Sequence, residues 1–410
     1  MTISSSPPPP PRLRLLRSTI GKSWVIFPAA FMVSTGIGLT ALGMLFYVRD
    51  VFGAPPAVVS IFGSVWTAVY SIACIVGRPL SVRLLPRYSL MIATGGMASA
   101  LVMIPLLNSL TAAFIFYGLY GASISFFWPP LMGWASAGLE QADLSRTISR
   151  FNLSWSTGAI IGPFLGGALF ELSPRAPAMT GIGLFASTFV MIAAASIVLP
   201  RVRSDVHRES PGRRRGEPRR VDESSPLRFP AWVTLFSTYF TFGVIVNVAP
   251  LYLRETLGLS ESLTGLVLLF RAIASTTLFI VLGRSSFWHH KKSWLASAHV
   301  LVILAALVLG TASSAVLYAT IVGGFGVILA ISYNNSVFHG ASGTIHRAAR
   351  MAVHESTLTG GVVAGSITGG ILYQTYSIVH AFLACAVVAG VLGIGAAVMI
   401  ARSAKTPATP

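Results

Sequence analysis

Apolar runs of about twenty residues succeed one another along almost the whole chain, and this leaves little choice of fold. A helix crosses the hydrocarbon core of a bilayer with about 20 residues. Backbone polar groups inside a bilayer must be satisfied by the protein itself, so only helices and closed barrels cross it. Runs bounded by charge, Pro or Gly number twelve, at approximately 24–48, 57–77, 88–107, 110–138, 145–171, 177–199, 229–253, 260–283, 293–311, 314–340, 350–374 and 377–401. A barrel would show roughly ten-residue segments of alternating polarity, whereas these runs are long and continuous. Composition agrees: hydrophobic residues make up 54% of the 410 and charged residues only 10%, against about 25% charged in a soluble domain. The expected fold class is an all-α membrane protein with twelve transmembrane helices. Near Asn108, Thr311 and Thr375 successive runs are only a few residues apart, which makes helical hairpins with little room for an extramembrane domain.

The formal net charge is +17, from 29 Lys and Arg against 12 Asp and Glu. On a soluble chain this balance suggests nucleic acid, so the positions of the charges decide its meaning. With the N-terminus placed in the cytoplasm, 25 of the 29 basic residues fall in inside segments, nine of them between Arg201 and Arg228. Arg49, Arg175 and Arg254 fall outside, and Arg271 lies within a run. This is the positive-inside bias. It predicts both termini in the cytoplasm, in a cell (inner or plasma) membrane, and makes the bilayer rather than nucleic acid the partner of the chain. Residues 1–23 contain Ser4 to Ser6 and Pro7 to Pro11 and read as a disordered tail, not a signal peptide. Residues 402–410 read as a C-terminal tail. Cys74 and Cys385 are isolated in predicted spans and form no metal pattern, so neither metal nor cofactor is expected.

Residues 200–228 form the one long polar stretch between spans and read as a disordered, basic cytoplasmic linker. It separates a first set of six spans (24–199) from a second (229–401). The two sets repeat. Ile75-Val76-Gly77-Arg78 closes span two, and Val281-Leu282-Gly283-Arg284 closes span eight. Gly118 and Gly121 match Gly323 and Gly326. Gly158, Gly162, Gly166 and Gly167 in span five match Gly361, Gly365, Gly369 and Gly370 in span eleven, and Arg49-Asp50 matches Arg254-Glu255. The offsets stay within 203–206 residues in chain order. A parallel repeat of this kind implies two six-helix bundles related by an axis along the membrane normal, a plan used by transporters.

Six plus six spans, cytoplasmic termini and a basic central loop resemble the major facilitator superfamily, from about Ser23 to Arg402. The family's motif after span two, Gly-x-x-x-Asp-Arg-x-Gly-Arg-Arg, keeps Gly77, with Ser81, Val82 and Leu84 at its Asp, first Arg and second Gly positions; Arg83 and Arg87 retain basic character. The fifth-span motif, Gly-x-x-x-Gly-Pro-x-x-Gly-Gly, is matched by Gly158, Gly162, Pro163, Gly166 and Gly167, with Ser149 where a further Gly belongs. In the family that motif is associated with proton-driven exporters. The resemblance implies two pseudo-symmetric bundles, a solute bound at mid-membrane, and alternating access by rocking at the five–eight and two–eleven seams. The glycines also speak for themselves. Gly158, Gly162 and Gly166 share one helix face, which lets a neighbour approach closely, and Pro163 lacks an N–H and bends its helix. Span eleven keeps the stripe in Gly361, Gly365 and Gly369, with Ser366 at the Pro position. The expectation is close packing at the seam between the bundles.

Polar groups inside a span are costly and need a reason. Arg271 stands near the middle of span eight, on one stripe with Thr264 and Ser275. It reads either as a cation for an anionic group of the solute or as half of a structural ion pair. Glu355 is the one carboxylate well within a span and shares a face with Thr359 and Ser366. A carboxyl group shielded from water keeps its proton unless a cation pairs with it, so Glu355, with His354 beside it, is the candidate proton carrier; the alternative is an interfacial pair with Arg350 or Arg347. Phe126-Phe127-Trp128-Pro129-Pro130 should interrupt span four, because two prolines remove two donors, and broken helices at membrane depth line cavities. The repeat sets Trp128 opposite Tyr333, Asn334 and Asn335 in span ten, and these four join Arg271 as candidate solute contacts. Packing of Trp128 and an interhelical hydrogen bond for the Asn pair are the structural alternatives. Asn247, near Pro250 in span seven, is a weaker candidate of the same kind. His299 and His380 read as structural.

There is no Gly-x-x-x-x-Gly-Lys-Ser/Thr loop for ATP, and no clustered His, Asp or Glu for an intramembrane enzyme. The expected function is secondary active transport of a small solute by alternating access, as a monomer and as proton-coupled efflux. Uptake or exchange of a small organic anion is the alternative, and a transporter-like receptor without flux is a further one.

Overall fold

The computed structural model describes residues 23–136, 141–198, 225–342 and 347–403. The N-terminal tail, most of the linker and most of the C-terminal tail read from the sequence lie outside them. All regular structure among the described residues is helical. Span one is α1 (Ser23–Val51) and span two α2 (Pro56–Val76), followed by a short α3 (Arg78–Arg83). Spans three to six are α4 (Pro86–Leu107), α5 (Leu110–Ile124) with α6 (Trp128–Ser136), α7 (Gln141–Leu172) and α8 (Ala176–Val198). Spans seven to nine are α9 (Arg228–Asn247) with α10 (Ala249–Glu255), α11 (Glu261–Gly283) and α12 (Lys292–Thr311). Spans ten to twelve are α13 (Ala315–Ala341), α14 (Arg347–Thr375) and α15 (Ile378–Ser403). Eleven of the spans are long and apolar enough to cross a membrane by composition alone. At 29 residues α14 is also long enough, but its first turns carry Arg347, Arg350, His354 and Glu355 and dilute its apolar character.

Local chemistry sets the boundaries. Prolines stand in the first turns of α2, α3 and α4, where a missing N–H costs nothing. Asn108 takes a left-handed conformation, φ 44°, and closes the α4–α5 hairpin. Ser260 caps α11 by accepting from the Leu263 N–H. Span four breaks as expected, at residues 125–127, so that Pro129 and Pro130 fall in the first turn of α6. The Phe126 carbonyl at the break accepts from Ser89 Oγ of α4 at 2.9 Å. Span seven breaks too, at Val248, with Pro250 in the first turn of α10. Span ten runs through Tyr333, Asn334 and Asn335 unbroken.

The packing is a repeat of itself. In the first half α1 lies against α7 and α8, α2 against α5, and α4 against α8. In the second half α9 lies against α14 and α15, α11 against α13, and α12 against α15. These are the same neighbours under the sequence repeat. The halves meet along two seams, α7 with α11 and α2 with α14.

The glycine stripe requires a correction. It was expected at the seam, but Gly158, Gly162 and Gly166 face α1. A Cβ on them would stand 2.6 Å from the Phe31 carbonyl, 2.8 Å from Gly38 Cα and 2.5 Å from the Leu39 carbonyl. Pro163 also turns its ring toward Gly38 of α1, while its carbonyl meets Gly265 of α11. Gly361, Gly365 and Gly369 face α9 in the same way, against Phe236, Phe240 and Val244. The seam is reached one residue, 100° around the helix, further on. Gly167 packs on the backbone of Glu261 in α11, and Gly370 on Ser60 and Ala57 of α2.

At the end of the molecule where α1 stops and α2 starts, ion pairs bridge the halves. Arg49 Nε lies 2.6 Å from Glu255 Oε1. Arg254 donates to both oxygens of Asp50, at 2.9 and 2.7 Å, and lies 2.9 Å from Glu261. The repeat-related dipeptides Arg49-Asp50 and Arg254-Glu255 thus exchange partners. Two backbone groups are held across the seams at the same end: Ala57 N–H donates to Gln374 Oε1 at 3.0 Å and Ser262 N–H to Glu171 Oε1 at 2.9 Å.

Candidate functional site

Arg271 rises from α11, which packs on α7 and α13 rather than on α9. Its backbone carbonyl meets Gly326 of α13, and its guanidinium crosses to α9, 4.9 Å above the ring of Phe242. Cation–π contact of this kind is attractive but does not replace a counter-charge. Among the described residues no carboxylate lies within ion-pair distance of Arg271, and its buried Nε has no hydrogen-bond partner. The side chain is enclosed by protein yet keeps accessible surface. Thr264 on the same stripe is fully buried with its Oγ1 unpartnered, and Ser275 bonds back to Ala272.

Glu355 is the second bare charge. Its side chain is exposed, and neither Arg350 nor any other described cation pairs with it; Arg350 instead lies 5.9 Å from the Trp232 ring. Three tyrosines from three spans, Tyr70, Tyr239 and Tyr333, lie within electrostatic range of the carboxylate, as does Cys74. Tyr239 is also in range of Arg271. One turn beyond Glu355, Thr359 donates to Ser71 Oγ of α2 at 2.9 Å, across the seam.

Tyr333 of α13 lies edge-on to Phe279 at 5.4 Å and to His354 at 4.9 Å. His354 is buried; its Nδ1 pairs with Ser336 Oγ at 2.8 Å and its Nε2 has no partner. Thr238 and Ser332, bonded at 2.8 Å, pin α9 to α13 beside Tyr239 and Tyr333. Arg271, Tyr333, His354 and Glu355 therefore belong to one region of the second half.

The other candidates do not join it by contact. Trp128 packs edge-on to Phe127, Phe151 and Trp155, all in the first half. Asn334 and Asn335 turn their amides back on their own helix, to the carbonyls of Ala330 and Ile331, rather than bonding between helices; Asn335 Oδ1 is left buried and unpartnered. Asn247 donates to Ser366 Oγ of α14 at 2.8 Å and turns its Oδ1 toward Gly63 of α2, a helix-joining role. His299 is held by Thr234 and Ser237 of α9, as a structural residue would be. A pocket of about 370 Å³ between Phe236 and the Ala352–Thr357 turn of α14 includes neither Arg271 nor Glu355.

Tyr70, Tyr239, Phe242 and Phe279 escaped the sequence reading. In an apolar span an aromatic looks alike whether it packs or lines a cavity. The phenols of Tyr70 and Tyr239 were the readable signal, because a buried hydroxyl needs company.

The family model of the Major Facilitator Superfamily matches residues 26–345. A search of curated proteins gave no match. Among solved structures, the nucleoside transporter NupG superposes with a TM-score of 0.71 at 14% identity, over 93% of this chain and 99% of that one. A POT family transporter in complex with 5-aminolevulinic acid gives 0.70 at 12%, over 92% and 96%. A bacterial homologue of the human lysosomal transporter Spinster, inward-facing and unoccupied, gives 0.70 at 11%, over 98% and 100%. At such identities the likeness is one of fold. Together with a family match over most of the length and a helix packing that repeats between halves, it establishes that the chain belongs to the major facilitator superfamily, as a multi-pass membrane protein.

Proposed function

We propose that the protein is a secondary active transporter in which Arg271 holds an anionic group of a small organic solute and Glu355 carries a coupled proton. The observation that carries this reading is the unpaired Arg271. A centred Arg costs about 2.5–3.5 kcal/mol on the insertion scale, and no described carboxylate offsets it. A solute carboxylate or phosphate would. Glu355, among tyrosines and without a cation, suits a group that gains and loses a proton. We take the functional unit to be a monomer.

The charge bias of the sequence supports a chain with both termini in the cytoplasm of a cell membrane. The Arg49 and Arg254 pairs then tie the halves together at the outer face. The family association of the span-five motif supports efflux. Arg271 favours the anion reading, for which the same site would serve uptake or exchange, and the sign of the pH gradient that drives accumulation in proteoliposomes separates the directions. The test of the site is flux of an anionic ligand first identified by thermal stabilisation of the purified protein. Arg271→Ala should abolish flux and Arg271→Lys retain part of it; wild-type flux in Arg271→Ala rules the site out. Stabilisation by a ligand without flux would instead mark a receptor.

A further inference from the structure

We propose that the solute is amphoteric, with its anionic group on Arg271, its cationic group on Glu355 and its body along the aromatic side chains between them. The proposal rests on the transporter reading above and narrows its substrate class. Two opposite charges share Tyr239 as a neighbour in the second half, and they do not pair with each other or with any other described residue. Within a membrane protein the enclosed Arg271 is costly without a partner, and the accessible Glu355 is free to take one. An anion would neutralise Arg271 and bring a second negative charge toward Glu355. A cation would do the reverse toward Arg271. A zwitterion satisfies both and adds no net charge.

The intervening surface suits such a molecule. Phe242 lies under the guanidinium, and Tyr239 meets Phe242 edge-on at 5.5 Å. The Thr238–Ser332 bond joins this face of α9 to α13. There Tyr333 reaches His354, the residue before Glu355, at 4.9 Å. Aromatic faces accept both an apolar body and an ammonium group. The Nε2 of buried His354, next to Tyr333, has no partner, and such atoms call for an occupant.

The experiment measures binding to the purified full-length protein with charge-matched probes: phenylalanine and phenylalanyl-alanine, each as the parent zwitterion, the N-acetylated anion and the C-terminal amide. At least one parent should bind about tenfold or more tightly than either blocked form, as expected for one lost charge-assisted contact. Glu355→Gln should erase the preference over the acetylated form, and Arg271→Gln the preference over the amide. The probe series on the unaltered protein does not depend on either variant folding. If the acetylated anion binds as tightly as its parent, the amphoteric proposal falls and the anion reading stands. If the amide binds as tightly as the parent, both fall. Failure of both parents to bind also overturns the proposal.

Discussion

Hydrogen-bond partners divide the polar side chains within the spans into those that tie two helices together and those left without such a tie. Asn247 finds Ser366 on α14 and His299 finds Thr234 and Ser237 on α9. Asn247→Ala should therefore cost about 1 kcal/mol of stability, read as a lower Tm, with solute affinity unchanged. Arg271 and Glu355 find no counter-charge among the described residues. Glu355→Gln removes a proton-binding group at constant shape: counterflow in proteoliposomes should persist while pH-driven accumulation stops, and unchanged accumulation excludes the proton role. Arg271 and Glu355 were legible in the sequence, because a charge in an apolar run stands out whatever surrounds it. Tyr239 and Phe242 were not, since their importance comes from the guanidinium that α11 brings over to α9. Both amide nitrogens of the Asn pair in span ten return to their own helix, a local solution that the sequence does not distinguish from a contact between helices.

At the scale of the helix, α7 and α14 each present glycines on two faces with different duties. The stripe at every fourth residue seats the helix within its own half, on α1 or α9, while Gly167 and Gly370 face the other half. Substitution should separate these roles. Gly166→Leu drives a side chain into the Leu39 backbone; overpacking of this kind costs about 1–3 kcal/mol, so the yield of monodisperse protein should fall. Gly183→Leu is the control, because nothing lies within 4 Å of its Cβ position, and should leave the yield unchanged. Gly370→Ala should spare the fold of each half but hold the α2–α14 seam apart, changing the balance of conformations rather than the melting behaviour of a half. The i+4 spacing alone predicted close packing correctly. Which neighbour does the packing depends on how the helix is rotated in the assembly.

Across the whole molecule, the halves are tied at one end by an exchange of partners, Arg49 with Glu255 and Arg254 with Asp50. Exposed ion pairs are individually worth only about 0–1 kcal/mol, enough to bias two conformations of similar energy but not to fold the protein. With Cys74 and Cys385 replaced by Ala, Ser60→Cys at the buried α2–α14 seam reports on this end. Its alkylation should speed up in Arg49→Glu, speed up further at high salt, and slow again in Arg49→Glu with Glu255→Arg. Equal rates in all of these would mean that the pairs do not hold the end closed. The sequence by itself determined the number of spans, the six-plus-six repeat and the helical fold, because bilayer thickness and backbone hydrogen bonding leave an apolar chain no other way to cross. It also marked Arg271 and Glu355, because desolvating a charge is costly anywhere in a membrane. Only the tertiary structure decided that the glycine stripes lie within the halves, that Asn247 ties α9 to α14, and that the repeated Arg-acid dipeptides pair with each other. Those outcomes depend on helix rotation and on which ends meet, and both are set by the packing of all the spans at once.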